Sequence, residues 1–270
     1  MQFFICFSAA HLLHITYCFE GSQFEPNIQR NLYIYDDEGV DKKFLRHAIK
    51  CFDDFHVNVS KISAKFIKCD GLLGVNSVFL MPGGADLPYV AKLNGLGNHN
   101  IRKFVSKGGI FIGICAGGYY ASSYVDFDAS GPNEVLGKRE LKLFEGKCIG
   151  PTLAPYDYLS NSGARAAWVR TCFGEIGKLV LYYNGGGYFE ETRSSHSTRI
   201  IASYIDNGLP AIILVNFGKG RAILSGVHFE VDPHLLDSND LYLRDIIPIL
   251  LAQDEKRKKF LSMLLAIALS

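Results

Sequence analysis

Two hydrophobic periodicities alternate through the first half of the chain. Short β-rich runs occupy residues 31–37, 57–62, 75–81 and 110–114. Residues 40–52 and 101–106 carry apolar side chains at helical spacing, and Gly108-Gly109 closes the second helix. Strands that alternate with helices predict an α/β fold with a mostly parallel sheet, helices on both faces and a flavodoxin-like three-layer arrangement. The ligand crevice is expected beyond the carboxyl ends of the strands.

The pattern changes from Val125 onward. Short β-rich runs separated by glycine follow at residues 168–173, 179–183, 200–205, 211–217 and 221–225. We interpret them as an antiparallel β extension together with the returning strands of the sheet. A helix is expected near 241–252, and the apolar tail Phe260–Leu269, too short to span a bilayer, is predicted to be a packed helix. The predicted organisation is an N-terminal apolar segment (1–22), a domain (30–252) and a C-terminal helix (253–270).

The charge balance bears on partners. Lys and Arg number 28 against 27 Asp and Glu, so a net charge of +1 provides no broad field for nucleic acid or an anionic membrane. The basic cluster Lys256–Lys259 is interpreted as a solvated helix face. A small molecule or a protein is therefore the expected partner.

Cysteine usage and the N-terminus bear on localisation. The seven cysteines form no C-x-x-C pair, which argues against a metal site and favours free thiols in a reducing compartment. We therefore expect a cytoplasmic protein. Export through residues 1–22 is the alternative, because residues 3–19 are apolar, although no Lys or Arg precedes them and His11 and His14 interrupt the run.

A nucleophile-elbow pattern follows the run at 110–114. Gly113-Ile114-Cys115-Ala116-Gly117 has the form G-x-C-x-G and precedes a helix-compatible YYASSY run. Bulk two residues before or after Cys115 would collide across so sharp a turn, which explains both glycines. The pattern predicts a cysteine nucleophile, and the alternative is a buried cysteine in a glycine-rich turn.

A candidate base lies at the end of a later apolar run. His228 and Glu230 are two residues apart in AILSGVHFE, so in an extended strand they face the same side. Glu230 would orient the imidazole while its other nitrogen faces Cys115. A structural histidine beside a surface glutamate is the alternative.

The order of Cys115, H-x-E and Pro82-Gly83-Gly84 resembles class I glutamine amidotransferases. The resemblance implies that Cys115 is the nucleophile, His228 the general base and acid, and Glu230 the orienting carboxylate. It also implies an oxyanion hole formed by the glycine-rich turn, with Gly83 and Gly84, and the amide of Ala116.

A closer resemblance covers the chain from about Asn31 to Leu250. It is carried by MPGGADLPY, LNGLGN, IRKFVSKGG, FIGICAGGYYASS, VLGKRELKLFEGKCIGP and YYNGGGYF. These strings are similar to the amidotransferase-like N-terminal domain of eukaryotic biotin–protein ligases, which is also found alone in bacterial proteins. No GRGRxGR-type segment occurs, so no ligase activity is expected.

Further residues are candidates for the crevice. Asn184 and Gly185 begin a glycine-rich turn that is interpreted as a site-lining loop, with a plain hairpin turn as the alternative. For Asp86 and Tyr89 a capping or packing role is favoured over lining the crevice, and for Arg139 a structural salt bridge is favoured over a substrate carboxylate. No P-loop or G-x-G-x-x-G form occurs, and no cofactor or metal is expected.

These observations support an enzyme that hydrolyses or transfers an amide C–N bond through a thioester, acting on a small-molecule amide. A non-catalytic small-molecule-binding or regulatory module of the same fold is the alternative. A peptidase using the same triad is a third reading, which would require a deep open groove.

Overall fold

The computed structural model describes residues 31–53, 57–69, 77–153, 155–192 and 197–270. The predicted N-terminal segment 1–22 lies outside these ranges. The helices are α1 (Lys42–Asp53), α2 (Ala64–Cys69), α3 (Asp86–Leu93), α4 (Leu96–Ser106), α5 (Ala116–Ala121), α6 (Ile247–Leu251) and α7 (Asp254–Leu269). The strands are β1 (Leu32–Tyr35), β2 (Val59–Ile62), β3 (Val78–Met81), β4 (Ile110–Ile114), β5 (Ser122–Phe127), β6 (Val135–Lys138), β7 (Phe144–Gly150), β8 (Arg165–Thr171), β9 (Lys178–Tyr183), β10 (Tyr188–Glu191), β11 (Thr198–Tyr204), β12 (Pro210–Phe217) and β13 (Gly220–Ser225).

The main sheet has nine strands in the order β2-β1-β3-β4-β13-β12-β11-β8-β9. From β2 to β13 neighbouring strands are parallel, and from β13 to β9 they are antiparallel. The predicted α/β fold with an antiparallel extension is therefore confirmed. β4 and β13 lie side by side, so the Cys115 turn and the His228 segment leave the same edge of the sheet.

The parallel strands are covered by helices on both faces. β1, β3 and β4 are buried at every position, as expected for strands between two helical layers. Helices α2 to α5 contact one another in one layer. On the opposite face α1 meets α7, where Arg257 Nη1 lies 3.9 Å from Cys51 Sγ.

A second sheet of four strands, β10-β7-β5-β6, was not predicted. It corrects the helix-compatible reading of YYASSY, because α5 ends at Ala121 and Ser122 already begins β5. Val125 and Phe127 alternate with more exposed neighbours and bury their side chains on one face of the strand. This tertiary burial decides the conformation of the segment.

The C-terminal part of the chain brings two further corrections. The helix expected over 241–252 is only the short α6, Ile247–Leu251, preceded by turns. The tail forms the predicted packed helix, with Phe260 and Leu261 in the main core. The cluster Lys256–Lys259 is not wholly solvated, because Arg257 is buried against Asp254. Among the described helices, none has both the length and the apolarity needed to cross a membrane.

Candidate active site

Cys115 lies on the turn between β4 and α5 with φ 50° and ψ −107°, a conformation that L residues rarely adopt. Its amide donates a 2.7 Å hydrogen bond to the Ser225 carbonyl. A Cβ on Gly113 would lie 2.5 Å from the carbonyl oxygen of Gly117. A Cβ on Gly117 would lie 2.1 Å from the Met81 carbonyl oxygen. The predicted collision across the turn is confirmed for Gly113, whereas glycine at position 117 is required by the carbonyl of Met81 in the neighbouring strand β3.

His228 and Glu230 form a buried pair just beyond β13. His228 Nδ1 lies 2.7 Å from Glu230 Oε1, and both side chains are shielded from solvent. β13 itself ends at Ser225, so the pair lies beyond the strand, with His228 in an isolated antiparallel bridge to Tyr182 and Glu230 in the turn that follows. The His228 amide fixes this segment by donating to the Tyr182 carbonyl at 2.8 Å, and the Phe44 ring stacks on the imidazole at 4.0 Å.

The electrostatic environment favours a charged imidazole at position 228. Burial lowers the pKa of His228, but the charge of Glu230 and the neighbouring Cys115 side chain outweigh it and raise that pKa to about 10. His47 differs, because burial lowers its pKa and its Nδ1 accepts a 3.2 Å hydrogen bond from the Asp232 amide. His228 is therefore the histidine of this region that holds a proton at neutral pH.

The free ring nitrogen and the thiol complete the core of the site. His228 Nε2 is buried and has no hydrogen-bond partner within the described ranges. The Cys115 thiol is directed to the Asn184 carbonyl at 3.8 Å, the outer limit for a hydrogen bond from sulfur. In unliganded sites such contacts are often long and tighten around the substrate.

The glycine-rich turns lie on either side of Cys115. Gly84 and Ala116 border the same pocket as the thiol, and Ala116 is the first residue of α5, so its amide has no partner within the helix. Gly84 has φ 147°, and a Cβ there would lie 2.0 Å from the Gly39 carbonyl oxygen. Gly83 lies against the imidazole instead, since its Cβ would be 2.9 Å from His228 Cε1.

The loop that begins at Asn184 is held close to the His228 segment. A Cβ on Gly186 would lie 1.7 Å from the Gly226 carbonyl oxygen, so the two backbones are in direct contact. Gly185 borders the pocket, and the Asn184 side-chain Oδ1 is buried without a hydrogen-bond partner in the described part of the chain. The structure thus brings this loop to Cys115.

A small, partly open pocket lies beside Cys115. The nucleophile turn and glycine loops contribute Gly84, Cys115, Ala116 and Gly185. Apolar and aromatic side chains contribute Tyr119, Val125, Phe127, Val135, Tyr156 and Tyr158. Asp86 supplies the charged group of the lining.

The structure separates the roles of the remaining candidates. Arg139 donates from Nε to Asp86 Oδ2 at 2.7 Å, which confirms the preferred structural salt bridge. Asp86 nevertheless borders the pocket as well. Tyr89 is fully buried and donates to the Pro82 carbonyl at 3.2 Å, so it has the packing role that was favoured.

Sequence reasoning missed the aromatic wall and one buried arginine. Phe127, Tyr156 and Tyr158 pack edge to face with ring centroids 5.0 to 6.3 Å apart. They come from β5 and a loop, and no periodic pattern links them. Arg257 contacts the His228–Glu230 segment, and its spacing of three residues from Asp254 is the signal that would have indicated an ion pair.

Comparison with known sequences gives one family over nearly the whole described chain. A family model described as biotin-protein ligase, N terminal, matches residues 30–269. An uncharacterised protein of Chlamydia muridarum is 34% identical over 82% of this chain and 89% of its own length. A biotin–protein ligase of Schizosaccharomyces pombe is 32% identical over 78% of this chain, but the aligned region spans only 35% of that enzyme.

Solved structures agree with this fold. A crystal structure of a glutamine amidotransferase aligns over 84% of this chain and 98% of its own, with a TM-score of 0.53 and 13% identity. The PurLQS structure from Thermotoga maritima aligns over 88% of this chain and 99% of the matched one, with a TM-score of 0.56 and 14% identity. At these identities the likeness establishes the class I glutamine amidotransferase-like fold alone.

Proposed function

Because the chain belongs to the family of biotin–protein ligase N-terminal domains and has a class I glutamine amidotransferase-like fold, we propose that it cleaves an amide C–N bond through a cysteine thioester. The observation that carries this proposal is the buried His228–Glu230 pair, 2.7 Å apart, beside the strained turn of Cys115. A buried carboxylate that fixes an imidazole next to a strained thiol is an arrangement suited to nucleophilic catalysis.

In the first step Cys115 attacks the amide carbonyl as a thiolate, with its proton already held by the charged imidazole of His228. A C–S bond forms and the carbonyl oxygen becomes an oxyanion, which the amides of Gly84 and Ala116 would receive. When the oxyanion collapses, the C–N bond breaks and His228 donates its proton to the leaving nitrogen. Glu230 orients the ring throughout.

In the second step water attacks the thioester and transfers a proton to His228. The C–S bond breaks, the carboxylic acid leaves, and the thiolate and the charged imidazole are restored. A nucleophile supplied by a protein partner in place of water would give transfer instead of hydrolysis. The high pKa of His228 matches the proton-donating step, and binding of substrate would tighten the contact between Nε2 and the sulfur.

The test is site-selective alkylation with a chloroketone analogue of an amide substrate. Cys69 and Cys172 are exposed thiols in the same chain and serve as internal controls. Cys115 should react at least about tenfold faster than either, and His228→Gln should remove most of that advantage. Equal labelling of Cys115 and the two exposed cysteines, or none at Cys115, would reject the proposal.

A second candidate function is a non-catalytic binding or regulatory module. The observation that favours it is the thiol, which is directed to the Asn184 carbonyl while His228 Nε2 lacks a hydrogen-bond partner among the described residues. Under this function a ligand fills the pocket, protects Cys115 from alkylation and is recovered unchanged. Mass spectrometry of ligand incubated with the protein distinguishes the two functions.

The expected setting follows from the composition and the comparisons. We place the protein in the cytoplasm, acting on a small amide without nucleic acid, because its net charge is +1 and its cysteines are scattered. Biotin ligation is not proposed, since the region shared with the S. pombe enzyme covers only 35% of that enzyme. Biotin transfer assayed with an acceptor protein should give no product.

A further inference from the structure

The pocket beside Cys115 has an uneven distribution of charge. Asp86 is the one carboxylate in its lining, and no Lys, Arg or His of the described chain borders it. The tyrosines of the lining are neutral at pH 7, and burial raises the pKa of Tyr119 further above its ordinary value and that of Tyr158 to about 12. A ligand therefore meets one carboxylate, which belongs to a buried ion pair with Arg139, and otherwise neutral surfaces.

Arg139 fixes the orientation of that carboxylate. Its Nε donates to Asp86 Oδ2 at 2.7 Å, and its Nη1 donates to the carbonyls of Gly137 and Lys138 at 3.2 and 3.1 Å. Arg139 is itself buried and does not border the pocket. The ion pair uses one oxygen of Asp86, so Oδ1 is the atom with which the carboxylate can meet a ligand.

The aromatic wall of the pocket is suited to a flat apolar group. Phe127, Tyr156 and Tyr158 pack edge to face against one another, which holds their rings in place. Aromatic rings also favour a nearby cation over an anion, because their faces carry partial negative charge. The wall and Asp86 therefore select for the same sign of charge.

We propose that the pocket selects amides in which a flat apolar body carries an ammonium group, with the carbonyl at Cys115 and the ammonium on Asp86. This inference rests on the proposed function, since it assigns the amide end of the ligand to Cys115. It disfavours free glutamine, whose α-carboxylate would find no cation in the lining. Asp86 is then a specificity-determining residue, and Arg139 positions it.

The test uses three benzamides that differ at one position: para-(aminomethyl)benzamide, para-methylbenzamide and para-carboxybenzamide. Their binding to the full chain carrying Cys115→Ser is measured by calorimetry, which requires no turnover. Binding and hydrolysis are thus read separately, and failure of the chemistry leaves the binding result intact. The same series is measured with Asp86→Asn, which keeps the shape of the side chain and removes its charge.

The ammonium compound should bind at least about tenfold tighter than the methyl compound, as expected for one charge-assisted hydrogen bond in a partly buried site. The carboxylate compound should bind weakest. In Asp86→Asn the dissociation constants of the three compounds should lie within about threefold of one another. Equal binding of the three by the parent protein, no binding of any, or tightest binding of the carboxylate through the unpartnered Nη2 of Arg139 overturns the proposal. The order of the three affinities in the protein that retains Asp86 tests the proposal even if Asp86→Asn fails to fold.

Discussion

Arg257 Nη1 donates a 2.9 Å hydrogen bond to the carbonyl of Phe229, the residue between His228 and Glu230. The same guanidinium is paired with Asp254, one turn earlier in α7, at 2.7 Å. Since Arg257 and Asp254 are both buried, the C-terminal helix is fastened directly to the segment that carries the candidate base and its carboxylate.

Replacing Arg257 with Met should lower the free energy of unfolding by roughly 3 kcal/mol, because among the described residues it leaves the buried Asp254 with Lys258 alone as an ionic partner. It should also slow alkylation of Cys115, since the carbonyl of Phe229 loses its donor. Denaturant unfolding and the alkylation rate of the folded fraction measure the two effects.

Lys256→Met is the matched control, because Lys256 is exposed on the same helix. Its effect should stay within about 0.5 kcal/mol and leave alkylation unchanged. Exchanging both Arg257 and Asp254 for apolar residues should recover much of the stability but not the alkylation rate. Normal alkylation in folded Arg257→Met would show that α7 does not position the pair.

The sequence pattern was enough for the parallel half of the fold and the nucleophile turn. β3 and β4 are continuous apolar runs, and a buried strand between two helical layers needs that pattern. β5 was missed because its residues join a helix-compatible run, and only burial of Val125 and Phe127 makes the segment extended. Arg257 was misassigned because a basic cluster resembles a solvated face, and its inward direction depends on where α7 docks.

Within the site, local geometry was predictable and the pocket was not. The steric demand at Gly113 follows from the sharp turn itself, whereas that at Gly117 depends on Met81 of the neighbouring strand β3. The aromatic wall requires Phe127 from one sheet to meet Tyr156 and Tyr158 from a distant loop, a long-range contact that no local period encodes.

The raised pKa of His228 should make stability depend on pH in a defined window. Its pKa is raised from an ordinary 6.5 to about 10 in the folded protein, so the folded state binds the proton more tightly. The resulting stabilisation is complete below about pH 6.5 and is lost as the pH rises through 10. The free energy of unfolding of the parent protein should therefore fall from pH 7 to pH 10.

His228→Gln supplies the reference, because lysines and tyrosines elsewhere also titrate in that range. The decline with pH should be steeper in the parent protein than in His228→Gln. Glu230→Gln should flatten the curve as well, since Glu230 is the larger source of the raised pKa. Parallel curves for the parent and His228→Gln would contradict an imidazole that stays charged at neutral pH.

Gly117→Ala should destabilise the protein by about 3 kcal/mol, because its Cβ would lie 2.1 Å from the Met81 carbonyl oxygen and the backbone must shift. Gly174→Ala is the control, since no atom lies within 4 Å of a Cβ at that position. Its effect should stay within about 1 kcal/mol. Thermal unfolding of the two variants measures the difference, and similar values would mean that the turn tolerates a side chain.

The strain at Cys115 predicts that glycine at this position gives a more stable protein than alanine does. A side chain held at φ 50° and ψ −107° costs about 2 kcal/mol, which glycine does not incur. Glycine loses about 1 kcal/mol through its greater freedom in the unfolded chain. Cys115→Gly should therefore be more stable than Cys115→Ala by about 1 kcal/mol.

The same exchange at an unstrained position has the opposite sign. Ala91 is exposed within α3, where Ala91→Gly should destabilise the protein by about 1 kcal/mol. Denaturant unfolding of the four proteins gives both differences under one set of conditions. If Cys115→Gly were less stable than Cys115→Ala, the turn would store no strain. The nucleophile would then be held by its hydrogen bond to Ser225 and by packing, without a conformational cost that the surrounding sheet has to offset.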